Sequence, residues 1–79
     1  MALSKFDKRF PQRNSAVSDA LAANVRKLRK GKNWTQGELG DKADVEQAAI
    51  SLLENGRSNP TLLMLENIAE ALGVDFEEL

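Results

Sequence analysis

The chain has 79 residues, a formal net charge of −1 and no cysteine, histidine or tyrosine, which limits it to one small domain with a modest core. The missing residue types exclude a disulfide framework, thiolate and imidazole metal sites and the usual catalytic bases and thiol nucleophiles. No apolar run approaches the roughly 18 residues of a membrane span, and the N-terminus lacks the apolar block of a signal peptide, so a soluble cytoplasmic protein is expected, without cofactor or metal and not an enzyme.

Residues 1–14, MALSKFDKRFPQRN, show no helical stripe and contain Pro11. They read as a flexible basic arm, leaving residues 15–79 as the folded domain. From there Val17, Leu21, Val25 and Leu28 recur at spacings of three and four, the mark of one apolar helix face. Ser15 or Ser18 can cap the start, and Asn33 suits the left-handed conformation that stops a helix. Thr35 followed by Glu38 is a capping box, opening a second helix with Leu39 and Ala43 inward and Asp44, tolerant of positive φ, at its end. The third stripe is Val45, Ala49, Ile50 and Leu53, closed by Gly56. After the turn RSNP, Thr61 caps a fourth helix with Leu62, Leu65, Ile68, Ala69 and Leu72 inward and Gly73 at its end. Asp75 can cap a short fifth helix from Phe76 to Leu79. No stretch alternates with period two, so the fold expected is all-α, a compact bundle of five short helices.

Charge is unevenly placed. Residues 1–32 carry +7 and residues 33–79 carry −8, a polar distribution with one part suited to an anionic partner. Arg29, in the basic part, and Glu54, in the acidic part, stand out by phase. Arg29 lies one turn after Val25 and Glu54 one turn after Ile50, so both point towards the core. Opposite charges so placed are expected to pair, because an unpaired buried charge is very costly. Glu77 and Glu78 with Asp75 read as a solvated helix surface rather than a catalytic carboxylate cluster. Gln36 to Ala43 and Glu46 to Asn55 make two short helices joined by a tight turn, a helix-turn-helix unit, and Gly40 fits where they approach too closely for a side chain.

The segment TQGELGDKADVEQAAISLLENGRSNPTLLMLENIAEALGV resembles the phage repressor and Cro-like (XRE-type) helix-turn-helix regulators, with the likeness running from about Leu21 to Leu79. Its carriers are Thr35-Gln36, Ile50-Ser51, Glu54-Asn55-Gly56, Pro60 and Ala71-Leu72-Gly73-Val74, in that order and spacing. The resemblance implies a lambda-repressor-like DNA-binding domain and a sequence-specific transcriptional regulator, a repressor, that inserts its third helix in the major groove of operator DNA as a homodimer. By position it implies base contacts from Gln47, Ala48, Ser51 and Leu52, with the Gln47 amide able to pair in bidentate fashion with adenine. It implies backbone contacts from Gln36, which also buttresses the reading helix, and from Lys42, Asn55 and Arg57, and it supports Arg29–Glu54 as a structural bridge. Glu46 and Leu52 depart from the family pattern, which favours a small polar residue at the first place and Lys, Arg or Gln at the second. The arm, with Phe6 and Phe10, can wrap a duplex or simply be a disordered terminus. Arg26, Lys27 and Lys30 read as a solvated helix face. Leu63, Met64, Val74, Phe76 and Leu79 either fill the core or offer a dimer contact. The competing reading keeps the scaffold and makes it an antitoxin-like protein-interaction module, using Ala48 and Leu52 to bind a protein partner.

Overall fold

The computed structural model describes residues 16–57 and 59–79, with side chains from Ser18 onward; the arm and the Ser15 cap lie outside the described residues, and the expected Val17 stripe position outside the described side chains. Four α-helices follow one another: α1 (Ala16–Gly31), α2 (Gln36–Ala43), α3 (Gln47–Glu54) and α4 (Leu62–Leu72), with no strand among the described residues. Phe76–Glu78 forms a single 3-10 turn rather than the expected fifth helix. Three residues are too few for an i→i+4 ladder, and the segment closes instead with Glu78 N to Asp75 O at 2.9 Å and Leu79 N to Phe76 O at 3.2 Å.

The helix ends are set by local chemistry. Thr35 Oγ1 accepts from Glu38 N at 3.0 Å while Glu38 Oε1 accepts from Thr35 N at 2.7 Å, so two donors at the start of α2 are satisfied reciprocally. Thr61 Oγ1 accepts from Met64 N at 3.1 Å and caps the start of α4 through that one bond. Asn33 at φ 60° and Asp44 at φ 58° turn the chain left-handed after α1 and α2, the short polar side chains tolerating what most residues avoid. Gly56 does the same after α3 at φ 71°. Gly56 N then donates to Leu53 O at 3.0 Å and Arg57 N to Leu52 O at 3.0 Å, closing orphan carbonyls of the helix.

The four stripes meet in one core built on Val25, Leu39, Ala43, Ile50, Leu53, Ile68 and Leu72. Leu21, Leu28, Trp34, Met64, Leu65 and Val74 are among the partly buried side chains packed on it. α2 packs against both α3 and α4, α1 against α3, and the 3-10 turn against α4. Leu62 breaks the expected stripe and is 62% exposed. It is the first residue of α4, and Cα–Cβ bonds tilt towards a helix's N-terminus, so its side chain projects past the helix end. Of the residues open to either core filling or a dimer contact, Met64, Val74 and Leu79 pack against the core, while Leu63 and Phe76 are exposed.

Candidate nucleic-acid interface

The tight joint between α2 and α3 depends on the missing side chain of Gly40. A methyl carbon built there would collide with the carbonyl oxygen of Val45, while Val45 N donates to Gly40 O at 2.8 Å. The turn is therefore drawn hard against α2. α3 leaves it with its inner face, Ile50, Leu53 and Glu54, fully buried. The opposite face follows from 3.6-residue periodicity: Gln47, Ala48 and Leu52 are exposed, and Ser51 is half-buried beside them. These four sequence-predicted base-contact residues thus share one outward surface, with Leu52 at 50% exposure.

Behind that surface lies a buried polar knot. Arg29 Nε donates to Glu54 Oε2 at 2.7 Å and Arg29 Nη2 to Glu54 Oε1 at 2.9 Å, a two-pronged ion pair between α1 and α3. Glu54 is 2% exposed and Arg29 9%, so the pair is shielded from water. Gln36 Nε2 adds a third bond to Glu54 Oε1 at 3.1 Å, tying the first residue of α2 to the last of α3. Arg29 Nη1 donates to the carbonyl of Trp34 at 2.7 Å, fixing the α1–α2 connection to the same group. Arg26 Nη2 donates to the backbone oxygen of Glu54 at 2.6 Å. Burial alone raises the Glu54 carboxyl, but the bonds from Arg29 and Gln36 and the charges of Arg29 and Arg26 outweigh it and hold the group below its ordinary value. The Arg29 guanidinium is correspondingly pushed up, chiefly by its hydrogen bond to Glu54.

The positions implied as backbone contacts are dispersed around α3. Gln36 is half-buried at the start of α2, with its Nε2 committed to Glu54. Asn55 and Arg57 are exposed just past the end of α3, either side of Gly56. Lys42 lies near the end of α2, with its Nζ 5.1 Å from the centroid of the Trp34 ring, and Lys32 approaches the same ring at 5.4 Å. Both are within cation–π range. The Gln36–Glu54 bond is the buttress to the reading helix that the family resemblance implied, whereas sequence reasoning missed this Trp34 cluster and the Arg26 tether. Arg26 had only its spacing to judge by, and helical phase puts it on the solvated side, where its backbone does lie. Its guanidinium reaches around to α3, a reach that only the relative placement of α1 and α3 reveals.

The α2–α3 turn also gathers acids. Asp41, Asp44 and Glu46 line one shallow depression with Gly40 and Val45. Glu46 stands at the N-cap of α3 without a side-chain hydrogen bond to the helix.

The helix-turn-helix family HTH_3 matches residues 25–79 of this chain. Over 59 residues the chain is 41% identical to the uncharacterized HTH-type transcriptional regulator y4dJ of Sinorhizobium fredii, covering 75% of this chain and 77% of that protein. It is 36% identical over 54 residues to the immunity repressor protein of Bacillus phage phi105, covering 68% of this chain but 38% of the repressor's length. Antitoxin HipB of Escherichia coli is 43% identical over 56 residues, 70% of this chain and 64% of the antitoxin. The crystal structure of the hypothetical transcription factor NHTF from Neisseria superposes with a TM-score of 0.77 at 31% identity, covering 86% of this chain and 82% of that one.

Proposed function

This chain belongs to the helix-turn-helix family of transcriptional regulators, the phage repressor and Cro-like type, and we propose that it represses transcription by binding a double-stranded DNA operator as a homodimer, with α3 in the major groove. The observation that carries this reading is the division of α3. Its inner face is locked by Ile50, Leu53 and the Arg29–Glu54 pair, while Gln47, Ala48, Ser51 and Leu52 share the outer one. A rigid helix with neutral polar and small side chains outward suits base edges. Gln47 offers a donor and an acceptor for the adenine edge, and Leu52 offers apolar contact for a thymine methyl. Asn55 and Arg57, held by the Gly56 closure, and Gln36 and Lys42 on α2 serve the phosphates in this reading. One motif covers only a few base pairs, so two copies are needed, reading half-sites about one duplex turn apart. A cytoplasmic location goes with this reading.

The test is selection of bound duplexes from a random-sequence pool at one stated salt concentration, followed by a salt titration of the winner. The expected result is a two-fold symmetric motif whose affinity falls with salt at a slope of about −0.9 per phosphate neutralised. Failure to retard any duplex at low salt overturns the reading.

Leu52 gives one reason to weigh a second function. A leucine 50% exposed at the centre of a recognition surface, beside Ala48 and the uncompensated Glu46, also suits a protein partner, as in an antitoxin-like module, and the likeness to antitoxin HipB supports it. Protection of Ala48 and Leu52 by a purified protein partner, and not by DNA, would favour this alternative.

A further inference from the structure

Gly37 is an odd residue to find in the first turn of an eight-residue helix. Glycine in a helix costs roughly 0.5–1 kcal/mol relative to alanine, and nothing about Gly37 requires a left-handed backbone, since only Gly56 and Gly73 among the described glycines have positive φ. Its surroundings supply the explanation. A methyl carbon built on Gly37 would lie 3.3 Å from Gln47 Oε1, 3.8 Å from Gln47 Cδ and 3.8 Å from Thr35 Oγ1. The amide end of Gln47 therefore lies close against Gly37, where a methyl would already press on it and a larger side chain directed the same way would displace it.

We infer that Gly37 is a specificity-determining residue: by leaving this space empty it lets the Gln47 amide seat against the start of α2 and fixes the direction in which that amide meets a base. The inference rests on the proposed DNA-binding function for its consequence, though not for its geometry. Gln47 is the second link in a chain of supports. Gln36, one residue before Gly37, is tied to Glu54 at 3.1 Å, and Thr35 and Glu38 lock each other on either side. The backbone beneath the amide is thus fixed by the capping box and by the buried pair. A glutamine side chain has three rotatable torsions, and an amide free to sample them would spend much of its time in orientations that cannot form a bidentate pair. Seating it beforehand removes that ordering cost from binding. The contact at Gly37 has no side-chain partner to be recognised in the sequence, because what matters there is the absence of one.

Substitution by alanine requires the amide to yield by only a few tenths of an ångström. Leucine at 37 fills the space outright while restoring helix propensity, so its effects on fold and on reading have opposite signs. The test uses the full chain and three variants, Gly37→Leu, Gln47→Ala and the double variant. In the free protein, the side-chain amide resonances of Gln47 should shift in Gly37→Leu, with a loss of their restricted mobility, while the thermal midpoint holds or rises. On the selected operator, Gly37→Leu and Gln47→Ala should each reduce discrimination at the same base pair by about tenfold, and the double variant should lose no more than either alone. Gln47 amide resonances unchanged in a folded Gly37→Leu protein would overturn the inference, whether or not DNA binds. Amide resonances that move while base preference stays as in the parent would also overturn it. Absence of any DNA binding by the parent chain would instead refute the proposed function, with the amide resonances still deciding whether Gly37 seats Gln47.

Discussion

Replacing Glu54 by glutamine is the sharpest test of how this small fold holds its recognition helix. The change keeps the side chain's shape and removes its charge. In the parent, the carboxylate accepts two bonds from Arg29, at 2.7 and 2.9 Å, and one from Gln36 at 3.1 Å. The amide of Glu54→Gln has one acceptor oxygen, and its NH2 must face donors on Arg29. The guanidinium is left charged at 9% exposure with half its partner gone. Breaking a buried ion pair from one side costs about 3–5 kcal/mol. For a domain of this size each kcal/mol lowers the melting midpoint by about 4–8 °C, so the midpoint should fall by at least about 12 °C, followed by far-ultraviolet circular dichroism on heating and in urea. Removing both charges, as Arg29→Met with Glu54→Leu, leaves neither one stranded and should recover most of that loss. A loss below about 1 kcal/mol in Glu54→Gln would mean that the pair is not a stabilising part of the fold. A double variant as unstable as the two single losses summed would refute the argument from stranded charge.

Other outcomes follow from the same geometry. The Glu54 carboxyl is held below its ordinary value, so its contribution is complete above the unfolded carboxylate range near about pH 4.3 and is lost as pH falls through the lower folded value. The melting midpoint measured from pH 7 downward should therefore drop in acid, and this part of the drop should vanish in Glu54→Gln; an identical acid profile in the two proteins would contradict it. Gly40→Ala places a methyl against the Val45 carbonyl, where backbone rather than a flexible side chain must give way. A loss of about 1–3 kcal/mol is expected in urea unfolding, and a neutral result would mean that the turn is looser than its contacts imply. Glu46→Thr supplies the hydroxyl cap that α3 lacks and removes an anion from the recognition side. Stability should rise by about 0.5–1 kcal/mol and operator affinity should rise with it, most at low salt; weaker binding would show that Glu46 itself contacts the DNA.

What could be read from the sequence is divided by range. Thr35, Glu38, Asn33, Asp44, Gly56, Thr61 and Gly73 set helix ends through bonds to residues at most a few positions away, and such bonds are written in order and spacing. The partnership of Arg29 and Glu54 is also legible, since helical phase points both inward and burial then compels pairing. Legibility stops where an outcome depends on how far one helix extends past another. Leu62 has the correct phase for the α4 stripe and still projects into solvent, because it sits at the end of the helix. Residues 76–78 carry helix-compatible residues after a good cap and make only a 3-10 turn. The Arg26 tether and the Trp34–lysine cluster join elements that only the folded crossing brings together. Gly37 is the extreme case, since a glycine in a helix reads as a weakness until its neighbour is seen.

The same division explains how a recognition helix can carry two acids and no cation. Between Val45 and Gly56 the charged residues are Glu46 and Glu54 alone, which on composition would repel a polyanion. Burial separates their effects. Glu54 faces inward and is neutralised by Arg29, so its charge belongs to the architecture and contributes little field at the outer face. Glu46 is left as the one charged residue of the segment turned to solvent, at the end where α3 begins. The outer face is thereby close to neutral, which leaves recognition to hydrogen-bond geometry and apolar contact. Geometry of that kind discriminates only if the reading side chains are held still. The uncharged face and the rigid backing are therefore two parts of one solution: a helix that draws little affinity from charge needs its amides prepositioned, and the Glu54 knot and the Gly37 gap each remove freedom from the elements that hold them.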